Sequence, residues 1–267
     1  MSTSNPIKTV LTIAGSDPSG GAGLQADLKT FSRLRVYGMA VIANMTAQNT
    51  LGVSAIAEVS PDFVAAQLDA VLTDIRPDAT KTGMLLTAPV VEVVAQKVRQ
   101  YRLKNLVVDP VLVSTSGATL MQPEAKDVFR RALLPLAFLV TPNVDEAREL
   151  TGIPIRTAID MRKSATHIHE MGPRHVLIKG GHLEAGDPTD VLFDGNGFSH
   201  FQSARIATQH THGTGCVLSA SIAAYLASGK PLQEAVRLGK EFVTSAIQGS
   251  LQIGNGTGPC DPLSLRS

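Results

Sequence analysis

The chain has 267 residues, of which 43% are hydrophobic, enough to build one large α/β domain or two small ones around a substantial core. A net charge of +1 with scattered basic residues argues against a nucleic-acid binder or a membrane-surface binder. The two cysteines, Cys216 and Cys260, are too few for a disulfide framework, residues 1–8 do not resemble a secretory leader, and no apolar run is long enough to span a membrane, so we expect a soluble cytoplasmic protein.

Predicted strands and helices alternate along the chain. A buried strand, a glycine-rich loop and a helix with apolar residues at helical spacing come first, and similar units follow. In chain order, the predicted strands are 8–14, 39–45, 53–59, 80–84, 106–109, 138–141 and 176–179, with short antiparallel pieces at 190–193, 197–201 and 205–207. The predicted helices are 23–36, 61–75, 88–101, 123–134, one beginning near Val144, 158–171, 214–227 and 231–248.

This alternation predicts one α/β domain over residues 1–267, with a mainly parallel sheet covered by helices on both faces. In such sheets the ligand site lies at the carboxyl ends of the strands. The unusual polar and glycine-rich segments are all expected at that edge. They are 15–23, 46–50, 81–84, 109–116, 141–146, 179–182 and 210–216.

The stretch HTHGTGC, residues 210–216, predicts an anion-binding helix start. Gly213 and Gly215 would let the backbone approach a ligand, and the first N–H groups of a helix have no partner within it. Cys216 would sit in the positive field of the helix, which predicts a lowered thiol pKa and a candidate base. The alternative is that Cys216 is a small apolar core residue and that the glycines serve helix packing.

Other candidate residues each have a structural alternative. Asp27 could hold a substrate hydroxyl or amine, or could simply interact with the start of its helix. The Gln48 amide offers a donor beside an acceptor, which complements an aminopyrimidine edge, although it could equally satisfy a turn. His210 and His212 fall on opposite faces of an extended strand, so a metal chelate is not expected from them.

Polar residues at the ends of later strands suit a hydrated Mg²⁺ and phosphate. Asp109 could hold the metal through water, Lys179 could pair with phosphate, and Asn143 and Glu146 could assist or could form a helix capping box. The chain has neither a Walker loop nor a G-x-G-x-x-G fingerprint, which argues against a nicotinamide-dependent Rossmann enzyme.

Together the motifs resemble those of a known family. In order and spacing, the chain is similar to the bacterial hydroxymethylpyrimidine/phosphomethylpyrimidine kinases of the ribokinase-like superfamily, over residues 8–261. The motifs that carry the resemblance are GSDPSGGAGLQADLKTF, TAQNT, KTGML, DPV, TPNVDEA, IKGGH, TDVLFDG and THGTGC.

The resemblance implies a three-layer α/β/α fold, a homodimer and two successive phosphoryl transfers from ATP with Mg²⁺, to a hydroxymethyl aminopyrimidine of thiamin biosynthesis and then to its monophosphate. It implies a pyrimidine pocket made by Gln48, Gly15, Asp27 and Met84. It also implies an anion hole at Gly213, Thr214, Gly215 and Cys216, with Cys216 as the catalytic base. Nucleotide phosphates and metal would be held by Asp109, Asn143, Glu146, Lys179 and Thr211.

Two alternatives remain open at this stage. A pyridoxal kinase of the same fold would share these loops, because pyridoxal also carries a hydroxymethyl group on an aromatic nitrogen ring, and an amide such as Gln48 can bind a pyridine hydroxyl. A catalytically silent ligand-binding or regulatory protein is the other alternative, and Cys216, Lys179 and Asp109 argue against it.

Overall fold

A computed structural model describes residues 7–112, 121–181 and 187–264. The parts of the predicted segments 109–116 and 179–182 that begin at residues 113 and 182 lie outside the described residues. The strands are β1 Thr9–Ser16, β2 Tyr37–Asn49, β3 Gly52–Glu58, β4 Ala79–Thr82, β5 Leu106–Val108, β6 Leu139–Val140, β7 Val176–Ile178, β8 Thr189–Phe193 and β9 Phe198–Gln202. The helices are α1 Gly23–Arg33, α2 Pro61–Leu72, α3 Ala88–Tyr101, α4 Pro123–Val128, α5 Val144–Thr151, α6 Ala158–Glu170, α7 Thr214–Ala227 and α8 Leu232–Gln248.

Over these residues the strands form a nine-stranded sheet in the order β3-β2-β1-β4-β5-β6-β7-β8-β9. In sheet order, β2, β1, β4, β5, β6 and β7 pair in parallel. β3 at one edge, and β8 and β9 at the other, join through antiparallel pairings. From β1 the chain first moves to one side, to β2, and later returns to the other side, to β4. The carboxyl ends of β1 and β4 therefore flank a topological switch point, where open α/β sheets bind ligands.

Helices cover both faces of the sheet. α1 packs against α7, and α7 packs against α8, above a cluster of buried side chains that includes Phe31 and Phe242. The contacts of α2 with α3, α3 with α4 and α5 with α6 build the opposite face, above a second cluster that includes Leu68 and Phe129. The predicted three-layer α/β/α fold is thus confirmed. Within the described part of the chain, no helix is both long and apolar enough to cross a membrane.

The helix starts follow from local chemistry. Ser60 caps α2 by accepting the N–H of Phe63, and Pro61 occupies the first turn, where its missing N–H costs nothing. Asn143 and Glu146 form a capping box at the start of α5, each side chain accepting the other's backbone N–H. α5 begins directly after β6, so this cap fixes the backbone at the carboxyl edge of the sheet.

Several sequence-based assignments differ from the structure. α1 ends at Arg33 rather than 36, because Arg35 adopts a left-handed conformation (φ 57°) that terminates the helix. The predicted helix 123–134 is α4 followed by a wider helical turn, Phe129–Leu133, and a tight one that contains Pro135. Residues 205–207 are not a strand. β2 continues to Asn49 because residues 44–49 pair with β3, so Gln48 lies on a hairpin strand rather than in a loop.

Candidate active site

The start of α7 lies against the glycine-rich loop that follows β1. Gly213 has a left-handed backbone (φ 80°), and a Cβ at this position would collide with the carbonyl oxygen of Gly21. The Thr214 hydroxyl donates to the Thr211 carbonyl over 2.6 Å, which closes the turn before the helix. The first-turn N–H groups of Gly215 and Cys216 have no helical carbonyl to bond, so this close-packed turn can accept an anion.

A buried carboxylate and a lysine stand beside that helix start. Lys179 Nζ lies 2.9 Å from Asp109 Oδ1, and Asp109 also accepts the hydroxyl groups of Thr141 and Ser219. Burial lowers the Lys179 pKa, but Asp109 and Glu146 outweigh it and raise the pKa overall, so the ammonium remains charged. A Cβ on Gly215 would lie only 3.4 Å from Lys179 Nζ, which places the lysine next to the start of α7.

Glu146 adds a second carboxylate to this cluster. Its Oε2 lies 3.8 Å from Lys179 Nζ and accepts the N–H of Asn143 over 2.7 Å. Burial raises the Glu146 pKa to about 7, Lys179 opposes the rise and Asp109 adds to it. The Asn143 side chain accepts the N–H of Glu146, so the capping alternative describes its contacts in this structure. Asn143 also pairs by backbone with Lys179, which brings α5 and β7 together at the sheet edge.

The cluster suits a hydrated cation better than a directly ligated one. No group of three or more His, Cys, Asp or Glu side chains within the described ranges could hold a metal ion. Asp109 and Glu146 nevertheless both lie against Lys179, and both carboxylates are nearly excluded from solvent. Mg²⁺ is typically held by one or two carboxylates, several waters and substrate phosphates, so this donor set fits it.

Cys216 is half-buried at the first turn of α7, but the predicted lowering of its thiol pKa is wrong. Burial raises the pKa of its thiol to about 11, and Asp27 and Asp109 raise it further while Lys81 and the N–H of Gly23 lower it. Burial of the thiol and the two carboxylates that the fold brings close therefore outweigh the positive backbone field at the helix start.

Asp27 is fully buried rather than facing an open pocket. Its carboxylate forms a salt bridge with Lys81, with Nζ–Oδ distances of 2.8 and 3.0 Å, and accepts the Thr12 hydroxyl over 2.6 Å. Both charged side chains are 0% exposed. Burial raises the Asp27 pKa, although Lys81 and Thr12 oppose the rise. Asp27 therefore does not line an open pocket, and its role as a pocket residue stays a proposal. The alternative, an interaction with the start of its own helix, does not describe its contacts either.

Gly15 and Met84 lie at the carboxyl ends of β1 and β4, on the two sides of the switch point. Asn44, on β2, bridges them: its amide donates to the Met84 carbonyl over 2.9 Å, and a Cβ on Gly15 would collide with its oxygen. That oxygen is buried without a hydrogen-bond partner among the described residues. Gln48 lies further along β2, half-buried, with its oxygen 3.1 Å from the Thr46 hydroxyl.

A His–Asp pair connects the glycine-rich loop after β1 with the segment that precedes α7. His212 Nε2 lies 2.8 Å from Asp17 Oδ2 and 3.3 Å from the amide nitrogen of Gln48. Burial raises the Asp17 pKa, but hydrogen bonds from His212 and Ser19 outweigh it, and the pKa is lowered overall. Asp17 thus links the first loop to the segment before α7.

The structure brings the predicted residues together in two neighbouring groups. Gln48, Gly15 and Met84 surround the ends of β1, β2 and β4, whereas the second group surrounds the start of α7. The second group consists of Asp109, Asn143, Glu146, Lys179, Thr211, Gly213, Thr214, Gly215 and Cys216. Sequence reasoning missed Lys81, Asp17 and His212 as parts of the site, although each lies inside a quoted motif.

A glycine-rich first loop at the switch point of an α/β/α sheet, with the open start of α7 and a carboxylate–lysine cluster along the same sheet edge, is the arrangement of a small-molecule kinase of the ribokinase-like class. The chain belongs to the phosphomethylpyrimidine kinase family, whose sequence profile matches residues 17–261.

Relatives compared by sequence agree with this assignment, and a pyridoxal kinase is similar in structure. The chain is 51% identical to the thiamine biosynthesis bifunctional protein ThiED of Geobacter sulfurreducens over 95% of its own length, and it spans 52% of that longer protein. It is 44% identical to the hydroxymethylpyrimidine/phosphomethylpyrimidine kinase of Bacillus subtilis, covering 97% of this chain and 96% of that one. The crystal structure of an ADP complex of Bacillus subtilis pyridoxal kinase matches with a TM-score of 0.90 at 40% identity, covering 97% and 98% of the two chains.

Proposed function

We propose that this protein transfers the γ-phosphoryl group of ATP to the hydroxymethyl oxygen of 4-amino-5-hydroxymethyl-2-methylpyrimidine, and then a second one to the resulting monophosphate, in thiamin biosynthesis. The adjacency of Gln48 and the α7 start, bridged by His212, carries the proposal. A ligand bound at Gln48 would be within reach of an anion held at Gly215 and Cys216. The residue roles below belong to the same proposal.

The pyrimidine end requires a polar group matched to the ring edge. The Gln48 amide offers a donor and an acceptor side by side, which complements a ring nitrogen next to an exocyclic amino group. Met84 would contact the ring, and Gly15 would leave room for it. Asp27 and Lys81 would form a buried ion pair beneath the pyrimidine and support the pocket.

The phosphate end requires fixed positive charge. Phosphoryl transfer depends mainly on positioning and on neutralising the charge that spreads over the transferred group. The N–H groups of Gly215 and Cys216 and the ammonium of Lys179 provide such charge, and Asp109 holds Lys179 in place. Mg²⁺, when bound, would add charge neutralisation, and Asp109 and Glu146 are the carboxylates that would hold its waters, with Asn143 and Thr211 at the margin.

Cys216 remains the candidate acceptor of the hydroxyl proton. With a thiol pKa of about 11 it is protonated at neutral pH before ligands bind. A loose transition state demands little from a base early in the transfer, because the hydroxyl becomes acidic only as its bond to phosphorus forms. Cys216 must therefore lose its proton when substrates bind, so the rate of this step should depend on pH above neutrality.

A parallel assay of three acceptors tests the substrate. Purified protein, ATP and Mg²⁺ would be supplied with the hydroxymethylpyrimidine, its monophosphate or pyridoxal, and ADP release would be followed. Turnover of the first two with slow turnover of pyridoxal supports the proposal. A protein that prefers pyridoxal and gives no second phosphorylation contradicts it, and one that releases no ADP with any acceptor would indicate the silent binding protein.

Pyridoxal phosphorylation is the second candidate function. The observation in its favour is the close structural match to a pyridoxal kinase at 40% identity. The amide of Gln48 does not by itself exclude a pyridine hydroxyl. We rank it second because the relatives compared by sequence over nearly the whole chain carry the pyrimidine kinase name.

We further propose a cytoplasmic homodimer formed by a single kinase domain that acts on small molecules and binds neither nucleic acid nor membrane. Both cysteines are free thiols, which suits a reducing compartment. Exposed apolar side chains on β2 and α2 are candidates for contact with a second copy: Tyr37, Ile42, Met45 and Phe63. Light scattering after gel filtration would give twice the chain mass of 28.1 kDa if the dimer forms.

A further inference from the structure

The hydrogen-bond polarity around Gln48 is set by its neighbours. Asp17 Oδ2 lies 2.8 Å from His212 Nε2, and both side chains are almost completely buried. Asp17 is an acceptor in each of its other side-chain contacts, from the N–H and hydroxyl of Ser19 and from the N–H of Ala22. Two acceptors at 2.8 Å would repel, so Nε2 of His212 must carry a proton and donate it to Asp17.

This proton decides which end of the Gln48 amide belongs next to the imidazole. An amide nitrogen facing Nε2–H would place two donors 3.3 Å apart. Turning the amide by half a turn places its oxygen there instead, where it shares the imidazole N–H with Asp17. The two ends of a primary amide have nearly the same shape, so hydrogen bonding decides between them.

Thr46 gives the same answer from the other side. Its hydroxyl has one proton, and two acceptors lie within reach: the Ser16 carbonyl at 3.0 Å and the amide oxygen of Gln48 at 3.1 Å. If the hydroxyl donates to Ser16, its oxygen is free to accept from an amide N–H. The turned amide then satisfies Thr46, Ser16, His212 and Asp17 at once, whereas the opposite orientation leaves one acceptor unserved and two donors in conflict.

We infer that His212 and Asp17, together with Thr46, lock the Gln48 amide with its oxygen toward the imidazole, and that this lock sets the ligand specificity of the pocket. The inference rests on the proposed function, in which Gln48 contacts the pyrimidine edge. His212, Asp17 and Thr46 act here as positioning residues.

The lock has a direct chemical consequence. A freely turning amide can present its donor and acceptor in either order and so binds either of two ring edges. A locked amide accepts one order only. The 4-amino pyrimidine presents an amino donor beside a ring-nitrogen acceptor, whereas the matching 4-oxo compound, 5-hydroxymethyl-2-methylpyrimidin-4(3H)-one, presents an oxygen acceptor beside a ring N–H donor. The two compounds have nearly the same shape and opposite polarity.

The test compares these two compounds as phosphate acceptors. The measured quantity is kcat/KM for the amino compound divided by kcat/KM for the oxo compound, which cancels general losses of activity. His212→Leu removes the donor, and His212→Gln retains an amide N–H that can serve Asp17. Thr46→Val removes the hydroxyl that accepts from Gln48, and its matched control is Thr46→Ser, so that a folding failure of one variant leaves the other pair.

We expect the wild-type protein to favour the amino compound and His212→Leu to reduce the ratio at least about tenfold, the size of effect expected when a conflict between a buried donor and a half-buried donor is removed. Thr46→Val should reduce it in the same direction, while His212→Gln and Thr46→Ser stay within about threefold of wild type. Ratios that are unchanged in both His212→Leu and Thr46→Val overturn the lock. A wild-type protein that phosphorylates neither compound overturns the proposed function instead, before any variant is compared, and the inference with it.

Discussion

Replacing Lys81 by methionine tests the buried pair beneath the site. Lys81 and Asp27 are both 0% exposed, with Nζ–Oδ distances of 2.8 and 3.0 Å, and among the described residues Asp27 also accepts the Thr12 hydroxyl. Lys81→Met keeps the length of the side chain and leaves the Asp27 carboxylate buried without a cation. Breaking one partner of a buried pair typically costs about 3–5 kcal/mol. In a chain of this size that lowers the melting temperature by roughly 6–20 °C.

Urea denaturation at pH 7 measures the loss, provided the m-value is unchanged. Lys81→Met combined with Asp27→Asn should recover most of it, because no buried charge remains unpaired. The sign of the pH dependence follows from burial, which raises the Asp27 pKa. Without Lys81 the folded-state pKa rises further, so the single variant should regain stability as the pH falls and the carboxyl is protonated, and lose it as the pH rises.

A loss below about 1 kcal/mol for Lys81→Met, or a double variant no more stable than the single one, would refute this reasoning. Either result would mean that water or another cation already serves Asp27. The matched control is Lys97→Met. Lys97 pairs with Asp69 at 2.6 Å, but the Asp69 side chain is 41% exposed, so the change should cost about 1 kcal/mol or less.

The remaining predictions concern the phosphate end. Glu146→Gln should stabilise the ligand-free protein by about 1–3 kcal/mol at pH 8. The pKa of Glu146 is raised to about 7 in the folded protein, so the carboxyl destabilises the fold as the pH rises from its ordinary pKa through 7, and the advantage of the variant should vanish below pH 4.5. The same variant should need more Mg²⁺ for turnover. Alkylation of Cys216 in a Cys260→Ser background should titrate near pH 11, and a midpoint near 7 would show that the helix field dominates after all. Gly213→Ala should abolish ATP turnover through strain and collision with the first loop, and a fully active variant would remove this turn from the site. Gln48→Ala should raise the KM of the pyrimidine while the KM of ATP stays constant in steady-state kinetics.

The sequence carries most of the fold because its signals are local. Alternating buried strands and amphipathic helices, with polar residues clustered after the strands, predict the layers and the edge where the site lies. Gly213 before an apolar helix and Gly215 in its first turn predict an anion-binding turn without any knowledge of distant contacts. The exact end of α1 and the strand character of Gln48 depend on Arg35 and on pairing with β3, which local spacing does not reveal.

The sequence alone does not reveal which charged residues the fold brings together over long separations in the chain. Lys81 reads as one polar residue in a short strand, and its partner Asp27 is 54 positions earlier. The predicted direction of the Cys216 pKa shift is wrong because burial of the thiol raises the pKa, and Asp27 and Asp109, both remote in the chain, add to this effect. His212 meets Asp17 across 195 positions, so its role in orienting Gln48 depends on the folded arrangement.

The central claim is that one site phosphorylates a hydroxymethyl aminopyrimidine twice. A ³¹P NMR time course with purified protein, Mg²⁺, excess ATP and the hydroxymethylpyrimidine tests it most directly, because it shows each phosphate bond as it forms. We predict a pyrimidine monophosphate that rises first and then declines as the diphosphate replaces it, with ADP released at each step. ADP release without any new pyrimidine phosphate, or a monophosphate that is never converted, would contradict it.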